Sequence, residues 1–165
     1  MTTFSDNNFG DLRVFHNPHS ASKVTPYGQP ASATISRERF KIAMNEISKW
    51  SDYEATPLIN LAGLAKKNGI SSLFYKDESG RFNIDSFKAL GGAYATERLL
   101  FSHIKEQVTG TTPTVSDLLN GRYKEITRKV TVACATDGNH GRSVAWGAQM
   151  FGCNCVIFIH ADVSA

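Results

Sequence analysis

Two glycine-bearing segments hold the residue types from which a reaction could be built. The first is Asp85-Ser86-Phe87-Lys88-Ala89-Leu90-Gly91-Gly92-Ala93. Its spacing sets Lys88 in the first turn of a helix, where a lysine is mildly unfavourable to the helix dipole. Phe87 and Leu90 are its neighbours, and no carboxylate follows closely. Burial and a positive helix end both favour the neutral amine, as a Schiff-base nucleophile requires. The same spacing also describes a surface lysine whose stem covers apolar side chains. Gly91-Gly92 within a helix costs roughly 1 kcal/mol each relative to Ala. Close approach of another backbone or of a ligand is therefore expected there.

The second segment is Thr136-Asp137-Gly138-Asn139-His140-Gly141. A strand end, two glycines and a helix start make a cradle for an anion, because the free backbone N–H groups point outward. A substrate carboxylate would suit it, with Asn139 and His140 adding side-chain donors. Asp137 is out of place beside an anion unless it transfers a proton. It also reads as an ordinary N-cap before a glycine turn.

Other chemical templates are missing. The sequence has no G-x-x-x-x-G-K-[ST], G-x-G-x-x-G or H-E-x-x-H. His16, His19, His103 and His160 lack the spacing of metal ligands, so no metal site is expected. Asp77 and Glu78 are adjacent carboxylates at a strand end and read as solvated or salt-bridged. Cys134, Cys153 and Cys155 are odd in number and read as small buried thiols in a reducing compartment. The expected location is the cytoplasm.

The elements that must position these loops follow from period and punctuation. Residues 1–35 show no helical or strand period, and Asn17-Pro18, Thr25-Pro26 and Gly28-Gln29-Pro30 read as turns in an extended arm. Ser36 reads as the N-cap of a helix through Trp50, with Phe40, Met44 and Ile47 on one face. Thr56-Pro57-Leu58 is extended. A short helix from Leu61 to Lys67 ends at Asn68-Gly69. Ser72–Lys76 reads as a strand leading into a polar loop, Asp77 to Asp85.

From there the chain repeats strand, loop and helix. A helix is expected from about Ser86 to Gln107, a connector over 109–116, and one more short helix within Val115–Lys124. Val130–Cys134 reads as a buried strand and Asp137–Gly141 as a turn. A helix from Arg142 to Phe151 ends at Gly152, and Cys155–Ile159 is a second apolar strand. Alternating strands and helices imply parallel pairing through right-handed crossovers. The expected fold class is α/β, a parallel open sheet with covering helices, incomplete at the C-terminus. Two parts are expected: an arm and helix over 1–50, and over 51–165 the start of an α/β catalytic fold. The sequence stops just after a strand that needs cover on both faces, so it reads as the front of something longer.

Composition sets the outer limits. The chain has 165 residues, 41% hydrophobic and 20% charged, with a formal net charge of +3. A chain of this length buries roughly two-thirds of its unfolded surface and needs no disulfides to hold a core. No apolar run approaches the roughly 18 residues of a membrane helix, and Met1–Asn8 has neither a basic nor an apolar signal region. With no run of five basic residues, the charge is weak support for a nucleic-acid partner.

Taken as a pair, Ser86-Phe87-Lys88 with Gly91-Gly92-Ala93 and Thr136-x-Gly138-Asn139-His140-Gly141 resemble the pyridoxal-phosphate enzymes of the tryptophan-synthase-β group, fold type II. That group includes the serine and threonine dehydratases. Within it the resemblance is to the diaminopropionate ammonia-lyase branch. It runs from about Ala55 through Ala165 and is strongest in Lys76–Phe82, Phe87–Ala95 and Thr136–Trp146.

The resemblance implies pyridoxal 5'-phosphate as cofactor and a small amino acid as substrate. It implies that Lys88 is the Schiff-base lysine, and that Asn139 hydrogen-bonds the cofactor's 3' oxygen. Thr136, Gly138 and His140 would receive the substrate carboxylate. Asp137 matches the base for the D-enantiomer, with Lys88 serving the L-enantiomer. The implied reaction converts 2,3-diaminopropionate to pyruvate and ammonia, in a homodimer for the complete protein. Many threonine dehydratases carry a small residue at the place of Asp137 and Arg at that of Leu90, which favours the diaminopropionate branch. A dehydratase and a truncated, inactive fragment are the alternatives. The branch's glycine-rich phosphate-binding loop lies downstream of the region covered here.

Overall fold

A computed structural model describes residues 31–162, together with Asn17, Pro18, Gly28 and the backbone of Thr3–Phe4 and Leu12–Arg13. The chain divides into two compact units, Met1–Arg37 and Glu38–Ala165. In the first, β1 (Thr3–Phe4) and β2 (Leu12–Arg13) pair antiparallel, with Thr3 opposite Arg13. A single helical turn, α1 (Ala31–Thr34), follows. The sequence reading of an arm without regular structure misses these elements, because two or four residues are too short to show a period. The expected turn at Thr25-Pro26, most of that at Gly28–Pro30, and His16 and His19 lie outside the described residues.

Next comes α2 (Arg37–Ile47), which starts directly after Ser36. It ends before Trp50; residues 48–50 form a turn that drops the Trp50 ring into the core, where it is 2% exposed. Phe40 and Met44 are 60% and 45% exposed, and only Ile47 of that face packs on the core.

Strand β3 (Leu58–Asn60) and strand β4 (Phe74–Lys76) flank α3 (Ala62–Lys67). They pair antiparallel, Leu58 opposite Lys76 and Asn60 opposite Phe74, which corrects the parallel expectation here. The ladder is extended at both ends, by Leu61 N–H to Leu73 O at 2.9 Å and Asp77 N–H to Pro57 O at 3.0 Å. Six residues of helix rise only about 9 Å. They close a wide hairpin and do not carry the chain back along the strand. Gly69, at φ 65°, ends that helix as its glycine predicts.

The segment expected as a polar loop, Asp77 to Asp85, instead contributes to the core. A 3-10 turn at Arg81–Asn83 buries Arg81 and Phe82, and Ile84 follows them in. The Phe82 ring lies 4.7 Å from that of Trp146 and 5.9 Å from that of Trp50. Its backbone takes a left-handed φ of 50°, strained for an aromatic residue and held by this packing.

Helix α4 (Lys88–Gln107) follows, then α5 (Val115–Leu119) and α6 (Lys124–Thr127). Two short helices thus replace the single expected one. A capping box between Thr114 and Asp117 opens α5, and Gly121 at φ 70° separates the pair. Strand β5 (Thr131–Ala135), helix α7 (Asn139–Phe151) and strand β6 (Asn154–Phe158) complete the unit. Here the pairing is parallel, Thr131 opposite Asn154 through Ala135 opposite Phe158, with α7 as the crossover.

The fold is α/β. Its described strands form three separate two-stranded sheets, and the main core is helical and aromatic. Leu100, Phe101 and Ile104 of α4 and Phe151 of α7 meet Trp50 and Phe82 there. Strands β5 and β6 are less buried than their composition predicts. Val132 packs inward on Val144 and Ala148, while Val156 and Phe158 are exposed. Helix α7 covers one face of that pair, and side chains alternate between faces along a strand.

Candidate active site

Lys88 opens α4. The hydroxyl of Ser86, itself buried, accepts a hydrogen bond from Lys88 N–H at 3.2 Å, pairing one of the donors a helix start leaves over. Lys88 is exposed, and so is Phe87 at 63%, so the burial expected around this lysine is not what the fold provides. Lys88 borders a hollow of about 400 Å³, lined also by Phe87, Leu90, Gly91, Gly92 and His140.

Helix α7 starts at Asn139, three residues before the expected Arg142. Asn139, His140 and Gly141 therefore occupy its first turn. Gly138 is the N-cap, which corrects the reading of Asp137 as a capping residue. No side-chain hydrogen bond caps this end among the described residues, so its first N–H groups remain available as donors. Gly138 N–H is 3.4 Å from Thr136 Oγ1, and Gly138 O accepts from Arg142 N–H at 3.1 Å. Gly141 lets the helix begin directly against the strand ends. A Cβ there would lie 2.6 Å from Thr136 Cγ2 and 3.2 Å from Ile157 Cγ2.

The fold thus brings Lys88, Gly91, Gly92 and His140 onto one hollow. Thr136, Asp137, Gly138 and Asn139 do not line it; they stand immediately before His140 in the β5–α7 connection. Asp137 and Asn139 are exposed and Thr136 is half-buried. Of the glycine pair, only Gly92 sits under a close approach: a Cβ there would lie 2.8 Å from Ser143 Cβ, whereas Gly91 faces open space.

Sequence reasoning missed Ser143. It is fully buried, and its hydroxyl reaches the backbone of Lys88. A signal existed in the spacing, since Ser143 and Gly147 are small residues one helical turn apart on α7. The expected thiols are half-buried, and burial raises the Cys153 and Cys155 pKa values. Of the two readings of Glu78, solvated or salt-bridged, the second holds: it pairs with Arg81 at 2.8 Å. Among the described residues, no cluster of His, Cys, Asp and Glu could hold a metal ion, and no helix is long and apolar enough to cross a membrane.

Residues 50–165, which carry both the Lys88 helix start and the Asn139 helix start, match the family of pyridoxal-phosphate dependent enzymes. The chain belongs to that family. The diaminopropionate ammonia-lyase of Escherichia coli strain K12 is 41% identical over 128 residues, covering 78% of this chain and 31% of that protein. The protein of the same name from Salmonella typhimurium strain LT2 is 38% identical over 111 residues, covering 67% and 27%.

Solved structures agree with the family fold. The crystal structure of diaminopropionate ammonia lyase from Escherichia coli in complex with D-serine superposes with a TM-score of 0.67 and 39% identity, covering 78% of this chain and 31% of that one. Another, in complex with an aminoacrylate-PLP azomethine reaction intermediate, gives 0.61 and 37%, covering 78% and 30%. The chain spans about a third of the length of the family members it matches (31% of the K12 protein).

Proposed function

We propose that this chain forms the cofactor-lysine part of an ammonia-lyase that converts 2,3-diaminopropionate to pyruvate and ammonia. The observation that carries the reading is the meeting of Lys88 and His140 on one hollow, although they come from different helices far apart in sequence. The residues present fit pyridoxal 5'-phosphate. An exposed primary amine suits its aldehyde, and the glycine floor leaves room for a flat ring. When bound, the cofactor supplies an electron sink for the charge released at the substrate Cα.

The chain's own residues supply position and proton transfer. Lys88 holds the cofactor and then removes the Cα proton of the L-enantiomer. Asp137, in the β5–α7 connection, does so for the D-enantiomer. The Asn139 side-chain amide would donate to the cofactor's 3' oxygen. Thr136, Gly138 and His140, with the uncapped first turn of α7, receive the substrate carboxylate. The departing amine needs a proton before it leaves. In this reading residues 51–165 are the N-terminal part of the catalytic fold and 1–50 an arm and helix. The complete protein is a cytoplasmic homodimer, with three free thiols supporting the compartment.

The test is to incubate the product of the longest reading frame containing this sequence with pyridoxal phosphate, reduce with borohydride and map the labelled peptides. Label concentrated on Lys88 and lost in Lys88→Ala supports the reading; label scattered over many lysines overturns it. Pyruvate release is then compared for 2,3-diaminopropionate and threonine, using the longest reading frame containing this sequence. Turnover of threonine alone would move the assignment to the dehydratases.

A further inference from the structure

Ser143 lies on α7 one helical turn past Asn139, with no exposed surface. Its hydroxyl has one proton to give, and that proton faces two backbone carbonyls of α4: Lys88 O at 2.6 Å and Ala89 O at 3.1 Å. A helical carbonyl already accepts from the N–H one turn on, and the hydroxyl takes up its second lone pair.

Two glycines permit the contact. A Cβ on Gly92 would stand 2.8 Å from Ser143 Cβ and 3.2 Å from Val144 N. One turn further along α7, a Cβ on Gly147 would stand 2.7 Å from Ala93 Cα. These approaches fix the height of α4 against α7, because sliding either helix would drive a side chain into backbone. The first turns of both helices are thereby held as one piece.

We propose that Ser143 is a positioning residue for Lys88. It ties the backbone beneath the lysine to the helix that bears Asn139 and His140, and so sets where the lysine amine stands relative to that loop. The inference rests on reading Lys88 as the cofactor lysine. Because the amine sits on a long, exposed stem, its reach is set by where the backbone below it is held.

The test compares Ser143→Ala with Thr127→Ala. Thr127 is another buried hydroxyl tied to α7, donating to Gly152 O at 3.1 Å, but at the far end of the helix. Each variant, made in the longest reading frame containing this sequence, is melted thermally, incubated with pyridoxal phosphate, reduced with borohydride and mapped. Both variants are expected to melt earlier than wild type. Only Ser143→Ala is expected to slow labelling at Lys88, roughly tenfold.

Hydrogen exchange without cofactor gives a second readout: amides at the start of α4 exchange faster in Ser143→Ala and not in Thr127→Ala. Selective Lys88 labelling in wild type with no change in Ser143→Ala overturns the positioning role alone. So does an equal loss in Thr127→Ala. Scattered label in wild type overturns the cofactor-lysine reading and this proposal with it.

Discussion

Trp50 donates a 2.7 Å hydrogen bond from Nε1 to Oε2 of Glu97, a carboxyl with no exposed surface. The bond joins the turn after α2 to the middle of α4 and seats the Trp50 ring against Phe82, Trp146 and Phe151. The other oxygen, Oε1, has no hydrogen-bond partner among the described residues. Burial pushes the Glu97 pKa from 4.5 up to about 7; the Trp50 bond opposes the shift and the nearby Glu46 carboxylate adds to it.

A buried acid with a raised pKa makes stability depend on pH in a defined direction. Glu97 adds no pH-dependent cost while protonated in both states, below 4.5. As pH rises through the interval up to about 7 the unfolded chain ionises first, so stability falls, and the loss is complete above it. Its full size is about 3 kcal/mol. Urea melts at about pH 5 and about pH 8 should show this decline in wild type and a flatter profile in Glu97→Gln. Equal slopes in the two proteins would contradict the assignment.

Glu78 carries the opposite sign. Its hydrogen bonds to Arg81 hold its pKa down at about 2, against 4.5 unperturbed. The stability it contributes is present above 4.5 and is lost as pH falls through about 2. Glu78→Gln leaves Arg81, 7% exposed, without its counter-charge, and is expected to cost about 3 kcal/mol at neutral pH. Chemical denaturation measures that loss, and acid titration of the variant should show a smaller decline than wild type.

Two glycine substitutions should move stability in opposite directions. Gly147→Ala places a methyl 2.7 Å from backbone Cα of Ala93, where neither helix has a flexible group to give way. A loss of about 1–3 kcal/mol is expected. Gly63→Ala, on the exposed surface of α3 with open space around it, should gain up to about 1 kcal/mol from helix propensity. Thermal midpoints of the two variants, compared with wild type, decide both.

Asp137→Asn separates the two proposed bases. It should abolish pyruvate release from D-2,3-diaminopropionate, by roughly a hundredfold or more, and leave the L-enantiomer within a few-fold of wild type. Equal losses on both enantiomers would assign Asp137 to binding and remove it as a base.

What the sequence determined by itself is local. Gly69 and Gly152 end α3 and α7 in left-handed conformations at the positions their composition marks. The strand and helix at each site segment were legible to within about three residues, because period and capping depend on neighbours only a few positions away. Lys88 and the Asn139 loop could be singled out for the same reason: each motif is contiguous.

Tertiary structure decided what depends on partners distant in sequence. Nothing near Leu58 fixes whether it pairs parallel or antiparallel with Phe74–Lys76, since both directions have the same local pattern. Phe82 sits among polar residues, and only the approach of Trp50 and Trp146 turns that loop inward. Glu97 and Ser143 are polar residues with ordinary helical spacing. They are buried because Trp50 and the Lys88 backbone arrive beside them with hydrogen-bonding groups to match. A buried polar group is tolerated only with such a partner, and its partner is chosen by the packing of whole helices. The meeting of Lys88 with His140 follows from the same packing, with Gly92 and Gly147 setting how closely α4 and α7 lie.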